Sequence, residues 1–177
     1  KLAASYDRDL FDGATLDGLG GGPRLYVNAT NLATGNLFFF VTGGGKPAEM
    51  GEHELGVVAA PGFPVCRAVA ASSAFPPVVP PLRLDASSYA HASSVEYVTL
   101  TDGGVYDNLG LETAFKRHTT LLVSDGGMRM GPEREPHGDW AQHSKRILDL
   151  VDNQVRSLRK RQLFQAYVKK DRDGAYW

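Results

Sequence analysis

Three observations predict an α/β fold. Short β-branched or apolar runs alternate with helical stretches along the chain. From about Trp140 to Lys169 there is no Pro or Gly, and apolar residues recur at helical spacing. Of 177 residues, 42% are hydrophobic and 22% charged, the composition of a chain that packs a core rather than one that stays disordered. Strands separated by helices further imply that at least part of the sheet is parallel.

The elements follow in order. Lys1 to Phe11 reads as the end of a helix, followed by a turn-rich stretch with Asp12-Gly13, Asp17-Gly18 and Gly20-Gly21-Gly22-Pro23. Arg24 to Thr30 and Leu37 to Thr42 read as strands joined in hairpin fashion through Thr34-Gly35-Asn36. Gly43-Gly44-Gly45 ends the second, and the segment to Pro61 is weakly patterned. Val65 to Ala71 is an Ala/Val-rich helical segment, stopped by Pro76-Pro77 and Pro80-Pro81. Val95 to Leu100 reads as a strand broken by Asp102-Gly103-Gly104. Asn108 to His118 supports a short helix, and Thr119 to Ser124 reads as a buried strand. Met128 to Asp139 is a polar loop. The long helix from Trp140 follows, its apolar side expected along Ile147, Val151, Val155 and Leu158, extended by Leu150, Leu163, Phe164 and Tyr167. No internal repeat and no domain linker stands out.

Charge and cysteine content narrow the function classes. Lys plus Arg is 19 against 20 Asp plus Glu, which excludes a globally basic nucleic-acid binder and an acidic solvating tail. A single cysteine, Cys66, excludes an intrachain disulfide and a Cys-cluster metal site. No apolar run approaches the ~20 residues that span a bilayer, and no signal peptide is visible, so a cytoplasmic or peripheral membrane location is expected.

Two glycine clusters fail as phosphate loops. In Gly18-Leu19-Gly20-Gly21-Gly22-Pro23 a proline replaces the third fingerprint glycine and the cluster precedes a strand, and Gly45-Lys46 runs into Pro47. His53, His91, His118, His137 and His143 are scattered, with no pair spaced to put two metal ligands on one helix face. Asp-Gly pairs begin at Asp12, Asp17, Asp102, Asp125 and Asp173. Those at 12, 17 and 173 lie in polar turns. Asp102 and Asp125 each follow an apolar strand and precede two glycines, the place where open α/β sheets bind ligands. Two glycines would let the chain turn sharply and leave room beside the carboxylate.

An ordered set of motifs carries a family resemblance. Ala70-Ala71-Ser72-Ser73-Ala74-Phe75-Pro76-Pro77-Val78-Val79-Pro80-Pro81, followed by Leu100-Thr101-Asp102-Gly103-Gly104-Val105-Tyr106-Asp107-Asn108-Leu109-Gly110, resembles the patatin-like phospholipases. Val27 to Gly35 is similar to the hairpin leading into that region. Asp152 to Arg161 resembles a helix of bacterial members.

The resemblance implies a three-layer α/β/α sheet and a Ser-Asp dyad acting on lipid acyl esters without metal or organic cofactor. Asp102 takes the place of the general base, with Gly103 and Gly104 as the active-site loop, and Asp125 receives no family role. The nucleophile is missing. None of the serines at 5, 72, 73, 87, 88, 93, 94, 124, 144 and 157 is flanked by Gly at −2 and +2, as the family's nucleophile elbow requires. Gly20-Gly21-Gly22-Pro23-Arg24 lies in the wrong order to be its oxyanion loop. The expectation is therefore that residues 1–177 are the C-terminal portion of one catalytic domain, inactive alone, with the serine on an upstream segment as its partner. Such a portion would leave an open strand edge and an exposed apolar face. The alternative is a non-catalytic module of the same architecture that binds lipid or a partner.

The basic run Arg156, Arg159, Lys160, Arg161, Lys169, Lys170 and Arg172 reads either as a solvated helix face or as a contact with an anionic membrane. The Asn28-Ala29-Thr30 sequon falls in an expected strand and carries no functional reading.

Overall fold

The computed structural model describes residues 1–91, 95–127, 130–135 and 138–177. Ser93, Ser94 and His137, like Met128 of the expected polar loop, lie outside the described residues. The chain divides into two compact units, Lys1–Tyr106 and Asp107–Trp177.

In the first unit, α1 (Leu2–Tyr6) continues into a π-helical turn, Asp7–Phe11, that ends where Asp12 turns left-handed at φ 44°. A six-stranded sheet follows: β1 (Leu25–Asn31), β2 (Leu37–Gly43), β3 (Lys46–Glu52), β4 (Gly56–Ala59), β5 (Leu82–Asp85) and β6 (Tyr97–Asp102). Its order is β4-β3-β2-β1-β6-β5, with every neighbouring pair antiparallel. The expected β1–β2 hairpin is present, closed by Gly35 N–H on Asn31 O at 2.8 Å.

The segment from Gly43 to Pro61, weakly patterned in sequence, folds as β3 and β4. Gly44 and Gly45 both have positive φ, 66° and 69°, the signature of a type I′ hairpin turn. The triple glycine thus turns the chain back into the sheet rather than out of it. Gly51 is required by proximity, because a Cβ there would overlap the backbone of Gly56 and Val57 on β4.

Helix α2 (Val65–Ser72) lies on one face of this sheet. Ala68 and Ala71 are fully buried and let the helix approach Phe38, Phe40, Leu84, Val98 and Leu100. Each fully buried Leu, Val or Phe contributes about 1.5–3 kcal/mol relative to exposure, so this layer dominates the unit's stability.

The second unit holds α4 (Leu111–Phe115), β7 (Thr120–Val123), α5 (Trp140–Val168) and β8 (Asp173–Tyr176); the short helix α3 (Gly104–Asp107) crosses between the units. The parallel pairing expected from sequence occurs here, between β7 and β8, and not in the six-stranded sheet. Asp173-Gly174, read as a polar turn, is the start of β8, where Gly174 lies against the Leu121 carbonyl too closely for a Cβ. Strand β7 is half-buried rather than buried: Leu121 and Val123 face the core formed with Leu111 and Leu163, whereas Leu122 is 71% exposed.

Helix α5 has the expected length and an N-cap, Asp139, whose side chain accepts from Gln142 N–H at 3.0 Å. Its orientation agrees with expectation at Leu163 and Tyr167, which belong to the core with Leu111 and Leu121, and differs earlier in the helix. The buried positions are Arg156, Leu163 and Ala166, while Ile147, Val151 and Leu158 are about half exposed. The physical reason is electrostatic, since the charged face of α5 finds carboxylate partners within its own unit.

Candidate active site

Asp102 ends β6. Strand β5 pairs with β6 only as far as Leu82 opposite Leu100, so beyond Leu100 one side of β6 has no strand beside it. The end of α2 fills that place. Asp102 N–H donates to Ala74 O at 3.1 Å, Thr101 Oγ1 donates to the same carbonyl at 2.6 Å, and Gly103 N–H reaches Ser72 O at 3.3 Å. On the other side β1 continues to Ala29 opposite Asp102, and Thr30 Oγ1 donates to Asp102 O at 2.8 Å. The backbone of Asp102 is therefore fastened from both sides, which removes the looseness expected at a strand end.

The side chain is half-buried, and its Oδ1 accepts the Gly104 N–H at 2.7 Å. The two glycines thus have separate roles. Gly104, the first residue of α3, supplies the donor that orients the carboxylate. Gly103 answers to a close approach, since a Cβ there would stand 2.5 Å from Asn28 O, so glycine is needed for β1 to pass. A carboxylate oriented by a backbone donor at the end of a fixed strand is a group suited to accept a proton from a correctly placed hydroxyl.

Ser73, the serine at the end of α2, is occupied locally. Its hydroxyl donates to Val69 O at 2.8 Å and pairs with Tyr6 OH at 3.2 Å. Among the described residues no three His, Cys, Asp or Glu side chains gather to hold a metal ion. No helix among them is long and apolar enough to cross a membrane.

Asp125, the second strand-end carboxylate, is built into a different structure. Its side chain is only 8% exposed, with Lys160 Nζ at 2.6 Å, Arg156 Nη1 at 3.6 Å, the Tyr176 hydroxyl donating at 2.5 Å and Gly127 N–H at 2.9 Å. Burial pushes its acidity towards the neutral form, but the bonds from Lys160, Tyr176 and Gly127 outweigh burial and hold the carboxyl well below the usual range. Gly127 has no side chain because the Arg156 guanidinium occupies that space. An ion cluster that joins the end of β7 to α5 and β8 is a structural device.

The basic run is explained in the same way. Arg159 Nη2 lies 3.0 Å from Glu112 and its Nε 3.9 Å from Asp107, and Arg172 donates to Phe115 O at 3.1 Å. Four of the seven bases thus have partners inside the unit, whereas Arg161, Lys169 and Lys170 are exposed.

A family model described as Patatin-like phospholipase matches residues 24–115, which is 92 of the 177 residues. The chain belongs to the patatin-like phospholipase family. No curated protein and no solved structure gives a match. The matched stretch begins one residue before β1 and ends with α4, so it contains the whole six-stranded sheet, α2 and the Asp102-Gly103-Gly104 corner of this patatin-like chain. Membership points to hydrolysis of lipid acyl esters.

The sequence marks Asp102 as a candidate but does not show the contacts that hold it. Thr30, Thr101 and the Ala74 carbonyl are read only from structure, because the bonds join residues 27 and 72 positions apart. Nor does it mark Glu52, which is fully buried, accepts from Asn31 Nδ2 at 3.2 Å and Thr34 Oγ1 at 2.8 Å, and ties the β1–β2 turn to β3. The signal for it was an acidic residue directly after Gly51 in a stretch without strand pattern.

Proposed function

We propose that this chain supplies the general base of a lipid acyl hydrolase with a Ser-Asp dyad. Asp102 is the base, and the serine comes from a Gly-x-Ser-x-Gly turn on a segment outside these 177 residues. That segment completes the three-layer α/β/α arrangement. The observation that carries the reading is the fastening of Asp102: its main chain is held from β1 and from the end of α2, and one carboxylate oxygen is oriented by Gly104.

In the reaction the serine hydroxyl attacks the acyl ester carbonyl as its proton passes to Asp102. The alkoxide leaving group takes that proton as the ester bond breaks. Asp102 then accepts a proton from the water that attacks the acyl-serine and passes it to the serine oxygen as the acyl–serine bond breaks, which releases the fatty acid and restores both groups. A free aspartate is a weak base at pKa ≈ 3.9, so the desolvation that comes with a bound lipid tail is part of the scheme.

The test is ester hydrolysis by the full-length protein and its Asp102→Asn variant, using a fatty-acyl p-nitrophenyl ester. The expected result is loss of turnover by at least a hundredfold with an unchanged far-ultraviolet spectrum, in line with the 10²–10⁴-fold typical of general base catalysis. Near-normal turnover by the variant overturns the assignment. The 177-residue chain alone is expected to be inert to a fluorophosphonate probe, and stoichiometric labelling would place the nucleophile within it.

A further inference from the structure

We propose that a single buried water molecule links Glu52 of β3 to Tyr89 inside the core of the first unit. Glu52 is fully buried, and its two carboxylate oxygens differ. Oε1 accepts from Asn31 Nδ2 and Thr34 Oγ1, whereas Oε2, equally removed from solvent, has no partner among the described residues. The Tyr89 hydroxyl is a second such atom, on a residue that is only 4% exposed. A buried polar group left unpaired is costly, so each of these atoms calls for a partner.

The fold brings the two side chains to one place. Strands β2 and β3 pair with Phe39 opposite Gly51, which sets Glu52 beside Phe38 on the buried face of the sheet. The Tyr89 ring packs edge-on against that same Phe38, with centroids 6.3 Å apart. His91 N–H donates to Leu55 O at 3.4 Å, which ties the chain after Tyr89 to the turn after Glu52. The phenol also senses the carboxylate. Burial, and then the Glu52 charge, push its pKa above the ordinary phenol value, so it keeps its proton and can donate.

The chemistry of the pair selects the ligand. Glu52 Oε2 needs a donor and the Tyr89 O–H needs an acceptor, and water is both at once. Two polar partners are enough to hold a buried water. The place is too poor in ligands for a metal ion: a hard cation such as calcium takes about 6–8 oxygens, and among the described residues no three His, Cys, Asp or Glu gather. The water would fasten the segment around Tyr89 to the carboxylate that already ties the β1–β2 turn to β3.

A high-resolution crystal structure of the protein should show one solvent peak within hydrogen-bond distance of both atoms. A direct bond between Glu52 and Tyr89, or no peak there, overturns the proposal. Tyr89→Phe removes only the hydroxyl and keeps the ring on Phe38, so the variant should fold. Loss of the bridge should speed hydrogen exchange of the β2 amides by about two- to tenfold. Unchanged or slower exchange overturns the proposal, because deleting a buried hydroxyl that has no partner does not destabilise the fold. Exchange rates of the unmodified protein should be equal in sodium, potassium and tetramethylammonium chloride at one ionic strength. Faster exchange in the tetramethylammonium salt identifies a bound cation in place of water and overturns it as well.

Discussion

Replacing Asp125 by Asn removes the charge around which the second unit is organised and leaves its shape nearly unchanged. Lys160, about a third exposed, can turn towards water, but the Arg156 side chain is only 6% exposed and has no such escape. Breaking a buried pair from one side typically costs about 3–5 kcal/mol, because the remaining charge stays buried. The lower end applies here, since Asp152 interacts with Arg156 and retains part of its compensation. The unit runs from Asp107 to Trp177, 71 residues, and at roughly 0.05–0.15 kcal/mol per residue its whole stability is about 4–10 kcal/mol. A loss of about 3 kcal/mol is thus a third or more of it.

Both tryptophans, Trp140 and Trp177, belong to this unit, so their fluorescence follows its unfolding in urea. With a urea dependence of about 1–3 kcal/mol per molar, the midpoint should fall by roughly 1–3 M at neutral pH. The sign of the acid dependence follows from the depressed folded-state acidity of Asp125. Its contribution is present above the unfolded value of ≈ 3.9 and is lost as pH falls from there towards the folded value. At pH 3 the gap between the unmodified protein and Asp125→Asn should have narrowed by roughly 1 kcal/mol. A neutral-pH midpoint unchanged by the substitution, or a gap that stays constant in acid, refutes the reasoning.

Gly103→Ala should lower stability by about 1–3 kcal/mol, since the new methyl has only the Asn28 backbone to displace; a thermal midpoint equal to that of the unmodified chain would contradict this. Glu52→Ala strands the Asn31 amide and the Thr34 hydroxyl without their acceptor, at about 1–3 kcal/mol for each buried donor left unmade. Glu52→Gln keeps an acceptor oxygen and should be the milder change, a ranking read from urea midpoints of the two proteins. Tyr167→Phe removes a 2.6 Å bond to Leu121 O and should lower stability by about 0.5–1.5 kcal/mol in the same assay.

The parts of the fold that were legible in sequence are those whose own residues prefer their structure. Leu37 to Thr42 is a strand by composition, and the run without Pro or Gly before Lys169 is a helix by length. Strand β3, Lys-Pro-Ala-Glu-Met-Gly-Glu, has little such preference; it is a strand because Gly44 and Gly45 reverse the chain against β2 and Gly51 admits β4. The same distinction separates the proposed base from its surroundings. Asp102 could be located by its neighbours in the chain, because a local motif records it, whereas Thr30 and Ala74 acquire their roles only when the sheet closes. Helix α5 shows why a face can be read correctly at one end, at Leu163 and Tyr167, and wrongly at the other. Its apolar spacing at Ile147, Val151 and Leu158 is genuine, but its place in the unit is decided by Asp107, Glu112 and Asp125, whose carboxylates pair with Arg159, Lys160 and Arg156. Hydrophobic period identifies a helix; where acidic partners converge on one side, charge decides which side it turns inward.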